Sequence, residues 1–255
     1  MNHFAALLPR RIKPWLWVKL SSLMHLDYHL PSGIRTSIRS YSDWCIYNDI
    51  FVAGEYDVAI YSALDKAAST GTFRVVDLGA NVGFFSLRIM DLIRRRKIPF
   101  SQIEILLVEA SPNLDRELRE RMAKVSQNGL TIKIVHGLVG EKKGQGQLQI
   151  ATAEIKNSVV HHSSSHTLPV NYVDLDVLLG TEGRIDLLKC DIEGSEVAFL
   201  KNYILLLKRT EVAVFEFHQP ACPFESGLAK MMEAGFSRHD VLLDQGLMQT
   251  VLFRR

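Results

Sequence analysis

Cysteine is scarce in this chain: Cys45, Cys190 and Cys222 are the only three in 255 residues, and no two form a Cys-x-x-Cys pair. That spacing argues against a disulfide framework and a structural zinc site, and it points to a reducing, cytoplasmic setting. Long apolar runs are missing as well. None reaches the ~18–20 residues that span a bilayer, and the start of the chain lacks the unbroken apolar stretch and small-residue site of a signal peptide. Nor is there a large excess of one charge, the formal net being +2. Of the 30 basic and 28 acidic residues, six and one fall within residues 1–40, so the remainder carries 24 against 27. A slightly acidic main domain gives no support to bulk binding of nucleic acid.

What is present is a chain 47% hydrophobic and 23% charged, enough for one sizeable core. Residues 1–60 read as an N-terminal arm and helical cap, and 61–255 as the main domain. Within the arm, Trp15 and Trp17 stand among Arg10, Arg11, Lys13 and Lys19. Residues 4–20 therefore have the chemistry for weak contact with an anionic membrane surface, or for packing on the domain or on a second copy in a homodimer.

From residue 73 short apolar runs alternate with amphipathic stretches. Strands are expected to begin at Phe73, Ile103, Thr131, Ile185 and Glu211, with a C-terminal pair at about 236–243 and 247–254. Helices are expected near 84–96, 112–126 and 195–208. This alternation predicts a doubly wound α/β fold with a mostly parallel, Rossmann-like, seven-stranded sheet, its ligand crevice at the carboxyl ends of the strands. The interval 141–172, rich in Gly, Gln, Ser and His, reads as a polar excursion shaped as a loose hairpin. Its His161, His162 and His166 read as an exposed loop in preference to a metal site.

The sharpest motif is Val75-Val-Asp-Leu-Gly-Ala-Asn-Val-Gly83. A buried strand delivers Asp77 to its tip, and Gly79 and Gly83 bracket a tight turn into a helix whose first N–H groups are free. Asn81 and Phe84 stand where the dinucleotide fingerprint needs glycines, which weakens an NAD-dependent reductase, and no Gly-Lys-Ser/Thr follows for a P-loop. The next strand ends in Glu109-Ala-Ser-Pro, an acid placed to accept ribose hydroxyls. A nucleoside site beside an amino-acid site suits S-adenosylmethionine. The fourth strand continues as Lys189-Cys-Asp-Ile-Glu-Gly-Ser-Glu196, with Lys189, Asp191 and Glu193 on one face if extended geometry persists. Ser195 or Glu196 is expected to stabilise the start of the following helix. Glu216 and His218 end the fifth strand. Ionisable groups gathered at neighbouring strand tips suggest a site, although for Lys189 a structural salt bridge is as good a reading.

These runs, with Ile50-Phe-Val-Ala-Gly-Glu-Tyr56 and Leu175-Asp176, resemble the FkbM family of methyltransferases over about residues 50–220. The chain has Glu-Ala-Ser-Pro where members often show Glu-Pro, and His136-Gly where a small polar residue is usual. The resemblance implies a class I methyltransferase fold and O-methylation of a hydroxyl on a small molecule or saccharide. Its cofactor contacts would be Asp77, Gly79, Ala80, Asn81, Gly83, Glu109, Ala110, Ser111, His136, Gly137 and Asp191. His218 is the candidate general base, because an unperturbed histidine titrates near ~6.5. Asp191 or Glu193 would orient it or serve as the base. A metal-free reaction is taken forward, and a divalent metal on Asp191, Glu193, Glu216 and His218 is the alternative. The chain lacks the Asn/Asp-Pro-Pro-aromatic turn and the Pro-Cys order of nucleic-acid methyltransferases. A non-catalytic S-adenosylmethionine-binding scaffold is the rival of a different class.

Overall fold

The computed structural model describes residues 26–149, 158–159 and 167–255. The arm at 4–20 and the histidines at 161–166 lie outside these. Strands β1 (Leu26–His29) and β2 (Arg35–Ile38) pair as an antiparallel hairpin. Helix α1 (Tyr41–Tyr47), a π-helical turn (Asn48–Ala53) and α2 (Asp57–Ala67) follow. Then come β3 (Thr72–Leu78), α3 (Phe84–Arg96), β4 (Gln102–Glu109), α4 (Pro112–Met122) and β5 (Leu130–His136). A small sheet is formed by β6 (Gln145–Gln149), β7 (Ser158–Val159) and β8 (Thr167–Asn171). The chain closes with α5 (Leu175–Leu179), β9 (Ile185–Cys190), α6 (Glu196–Asn202), α7 (Ile204–Lys208), β10 (Thr210–His218), α8 (Phe224–Glu233), β11 (Arg238–Asp244) and β12 (Met248–Arg254).

The main sheet has seven strands in the order β11-β12-β10-β9-β3-β4-β5. The five from β10 to β5 are parallel, and β12 runs antiparallel to both β10 and β11. The central parallel strands are mostly apolar because both faces are covered, whereas edge strand β5 is only partly buried. Val75, Ile105, Leu187 and Val214 pack with Ile60 and Leu64 of α2, Leu87 and Ile89 of α3 and Leu118 of α4. Their neighbours Val76, Leu106, Leu188 and Ala213 point the other way, onto Leu175, Phe199, Leu206 and Met231. From β3 the chain winds outward to β4 and β5, then returns to lay β9 on the other side of β3. That reversal between β3 and β9 is where a doubly wound sheet opens its crevice.

The doubly wound expectation is met, and the excursion is hairpin-like, with β6 and β8 antiparallel in continuous register. The N-terminal segment differs from the helical cap expected of it. Within its described part a hairpin precedes the helices, and α2 lies against the sheet, burying Ala59, Ile60, Ala63, Leu64 and Ala67 in the shared core. Residue 60 is inside α2, so the expected boundary there divides a single helix. What this segment brings to the crevice is the Glu55-Tyr56 link between the π-helical turn and α2. Asp43 of α1 pairs with buried Arg121 of α4 at 3.0 Å, and the Arg121 guanidinium lies 4.1 Å from the centre of the Phe84 ring. The segment and α4 thus brace the first residue of α3, directly behind the glycine turn.

Among the described residues, no helix is long and apolar enough to cross a membrane. Among the described residues, cavities of about 170 and 220 Å³ border the amino ends of the strands, beside residues such as Arg74, Glu104 and Asp186. They contain none of the residues discussed next.

Candidate functional site

The glycine turn is built by the backbone. Gly79 and Ala80 both donate N–H bonds to the carbonyl of Val108, at 3.0 Å each. Gly79 has φ +72°, and a Cβ there would sit 1.7 Å from the carbonyl oxygen of Asp191. The glycine is therefore required by close approach of the β9 tip. At Gly83, φ +87°, a Cβ would meet Leu118 and Met122 of α4, again a packing demand. Asn81 adopts the left-handed region at φ 51°, which asparagine tolerates, and its Oδ1 accepts the Val82 N–H at 2.8 Å.

Glu109 closes the turn from the neighbouring strand. Its two carboxylate oxygens accept N–H bonds from Asn81 and Ser111, each 2.8 Å. Each oxygen keeps a lone pair for a further donor. Burial raises the Glu109 pKa to about 7 against those two hydrogen bonds. At the end of β5, His136 Nε2 lies 2.9 Å from the Ala110 carbonyl, and Gly137 N–H donates to the Glu109 carbonyl. So Glu109, Ala110, Ser111, His136 and Gly137 come together at one edge, beside Asn81.

Across the turn, Asp77 is fully buried and its pKa rises to about 6, chiefly from desolvation. Ser86 donates to one oxygen at 3.1 Å, while Oδ1 is buried with no hydrogen-bond partner. Lys189 stands opposite Asp77 in the register. Its Nζ donates to the Gly79 carbonyl at 3.2 Å and to Asp191 at 3.1 Å. Burial opposes its charge, but Asp191, Asp77 and Glu216 outweigh that and raise its pKa. Lys189 is thus the clamp between the two strand tips, the structural alternative foreseen for it. Asp191 Oδ1, like Asp77 Oδ1, is buried without a hydrogen bond.

Beyond Cys190 the extended geometry does not persist. Glu193 has φ 48° and Gly194 φ 101°, a turn that folds the following residue back toward β10. Glu196, completely buried, accepts His218 Nδ1 at 2.8 Å and the Gly194 N–H at 3.1 Å. Glu193 Oε2 is 3.5 Å from His218 Nε2. The hydrogen-bond partner of the imidazole at Nδ1 is Glu196, while Glu193, one of the two acids expected to orient it, faces Nε2. Ser195, at the helix cap, makes no side-chain capping bond. Burial opposes the His218 charge, but the Glu196 hydrogen bond and the Glu196, Glu193 and Asp191 charges raise its pKa to about 9. The imidazole is cationic at neutral pH, in contrast to the ordinary titration expected of it. One ligand atom from each of Asp191, Glu193 and His218 lies within 4.8 Å of the others, a group that could hold a metal ion. Glu216, also named as a candidate ligand, instead accepts the Tyr56 hydroxyl, and burial raises its pKa. Tyr56 and Glu196 were missed as site residues. Their signals were the Ile50–Tyr56 run and the second acid three residues after Glu193.

The raised values fix a sign for pH dependence. Asp77 and Glu109 have folded pKa values near 6 and 7, against an unfolded carboxylate near ~4, and His218 stands near 9 against ~6.5. Each contributes stability that is complete below its unfolded pKa and lost as pH rises through its folded one. The ligand-free protein is therefore expected to melt at progressively lower temperature from pH 5 to pH 9. Glu109→Gln should remove the part lost up to pH 7, as read by thermal denaturation at constant ionic strength. A wild-type midpoint that climbs with pH would contradict these environments.

Comparison with known proteins gives a sequence match and a set of structural likenesses. The profile of the family described as Methyltransferase FkbM domain matches residues 77–244. No curated protein matches the chain. Among solved structures, Methyltransferase FkbM from Methylobacillus flagellatus KT is 16% identical, with a TM-score of 0.47 over 72% of this chain and 44% of that one. EvdMO1 is 15% identical, with a TM-score of 0.39 over 77% of this chain and 40% of that one. A TehB-like SAM-dependent methyltransferase from Corynebacterium glutamicum is 13% identical, with a TM-score of 0.41 over 83% and 95%. The chain spans less than half the length of the first two. With every score below 0.5, the fold rests on the sheet order above and on the family match.

Proposed function

The chain belongs to the FkbM methyltransferase family, and from that premise we propose that it transfers a methyl group from S-adenosylmethionine to a hydroxyl of a small molecule or saccharide. The observation that carries this reading is the pair of buried, unpartnered oxygens, Asp77 Oδ1 and Asp191 Oδ1, on the two strands flanking the crevice. A buried acceptor without a donor is costly, and a ligand ammonium would meet that need. Glu109, with lone pairs left after its backbone bonds, suits a ribose diol. The cofactor fits these residues, and when bound it supplies the electrophilic methyl on a sulfonium.

The remaining work falls to the chain. Gly79, Ala80, Asn81 and Gly83 shape the floor, Glu109 with Ala110 and Ser111 holds the nucleoside end, and His136-Gly137 borders it. In-line transfer depends mainly on alignment of acceptor oxygen and methyl. His218, aimed by Glu196, is positioned to take the acceptor's proton once it has lost its own, and Asp191 or Glu193 is the carboxylate that could do so in its place. Free Cys45, Cys190 and Cys222, two of them buried, suit a cytoplasmic protein.

A second reading has a divalent metal on Asp191, Glu193 and His218, favoured by their convergence. In the metal-free reading the histidinium supplies the positive charge among these acids. Isothermal titration should show S-adenosylhomocysteine binding and no NADH binding, and turnover with a hydroxylated acceptor should survive EDTA. Binding of NADH alone would overturn the proposal. Loss of turnover under EDTA, restored by magnesium or manganese, would establish the metal version.

A further inference from the structure

Glu196 and His218 meet across 22 residues of sequence, one at the first position of α6 and the other at the last position of β10. Glu196 is fully buried, and Oε1 takes both hydrogen bonds, from His218 Nδ1 and Gly194 N–H. Its Oε2 is buried with no hydrogen-bond partner. Leaving a carboxylate oxygen unmatched in the interior is unfavourable, so the group is held there for what Oε1 does. The left-handed Gly194, φ 101°, lets the chain double back and deliver it. With Nδ1 engaged, the opposite ring nitrogen, Nε2, faces Glu193 at 3.5 Å.

We propose that Glu196 is a positioning residue: by accepting the His218 Nδ1–H it fixes the ring so that Nε2 faces the acceptor. This rests on the reading in which His218 acts on the acceptor. It holds whether Nε2 takes a proton or binds a metal, because either role needs the other ring nitrogen tied down.

The test combines a measurement that needs no acceptor with one that does. In protein labelled with ¹⁵N-histidine, His218 should give a downfield Nδ1–H proton resonance slow to exchange with water. Glu196→Ala should abolish that signal. Glu196→Gln, which keeps Oε1 and places its amide nitrogen where Oε2 was, should retain it. In turnover, Glu196→Ala should lower kcat by ~10–100-fold, with S-adenosylhomocysteine affinity and acceptor KM nearly unchanged, and Glu196→Gln should recover part of the loss. In a His218→Ala background, Glu196→Gln should have no further effect on kcat. Absence of the Nδ1–H resonance in the wild type, or full multiplicative losses in the double variant, would overturn the proposal. A wild type that shows the resonance but transfers no methyl group would defeat the assigned activity and leave only the ring orientation standing. Should the alanine variant fail to fold, the glutamine variant and the wild-type resonance still decide the matter.

Discussion

Gly79→Ala and Gly79→Val are both expected to abolish S-adenosylhomocysteine binding, and both are expected to destabilise the protein before any ligand is added. Gly79 is in the left-handed region at φ +72°, where side chains are strained. A Cβ would also stand 1.7 Å from the Asp191 carbonyl oxygen and 2.9 Å from its carbon. Backbone cannot step aside as a flexible side chain can. Either the turn or the tip of β9 must move, and both are tied to Lys189, through the Gly79 carbonyl and the Asp191 carboxylate. Strain and overpacking together should cost roughly 2–5 kcal/mol, and the displaced Asp77–Asp191 pair would no longer present its oxygens to a ligand. Calorimetry with S-adenosylhomocysteine and chemical denaturation of the ligand-free protein test the two halves. A Gly79→Ala variant of wild-type stability that had lost only binding would contradict this packing account and show that a ligand occupies the space next to Gly79.

The same residue shows what sequence could convey. A glycine after a buried strand and an acid marks a close approach, but not what approaches. Asp191 lies 112 residues away, and only the reversal of strand order brings its carbonyl to the turn. The strand tips were legible because β3, β4, β9 and β10 carry short, mostly apolar, largely buried runs that lead into Asp77, Glu109, Asp191 and Glu216. Helix α8 was not legible. Pro223 precedes it and Gly227 interrupts it, yet a Cβ at Gly227 would lie 2.3 Å from the Phe217 ring, so the glycine serves packing in the third dimension. The stretch 195–208 read as one helix and is two, broken at Tyr203, whose hydroxyl donates to the Val173 carbonyl. Tyr56 reaches Glu216 across 160 residues. No local periodicity encodes such a contact, which is why the acid was visible and its partner was not.

His218→Ala is expected to lower turnover by ~10²–10⁴-fold, the usual contribution of a positioned acid or base, while leaving cofactor affinity nearly unchanged. Binding and chemistry separate because the imidazole sits at the β10 tip among Glu193 and Glu196, whereas Glu109 and Asn81 lie on the far side of β3. The pH profile carries the sharper test. With its pKa near 9, only roughly one His218 in a hundred is neutral at pH 7. If the neutral ring is the base, wild-type kcat should climb with pH toward 9, and not level off above 6.5 as an unperturbed histidine would require. The alanine variant should lose that climb. If Asp191 or Glu193 is the base and His218 only balances its charge, the climb toward pH 9 should be absent in the wild type. His218→Ala would then weaken turnover without reshaping its pH dependence. A folded His218→Ala protein that binds cofactor and turns over at the wild-type rate would reduce the histidine to a structural cation, its charge serving only to let three carboxylates share the end of one crevice.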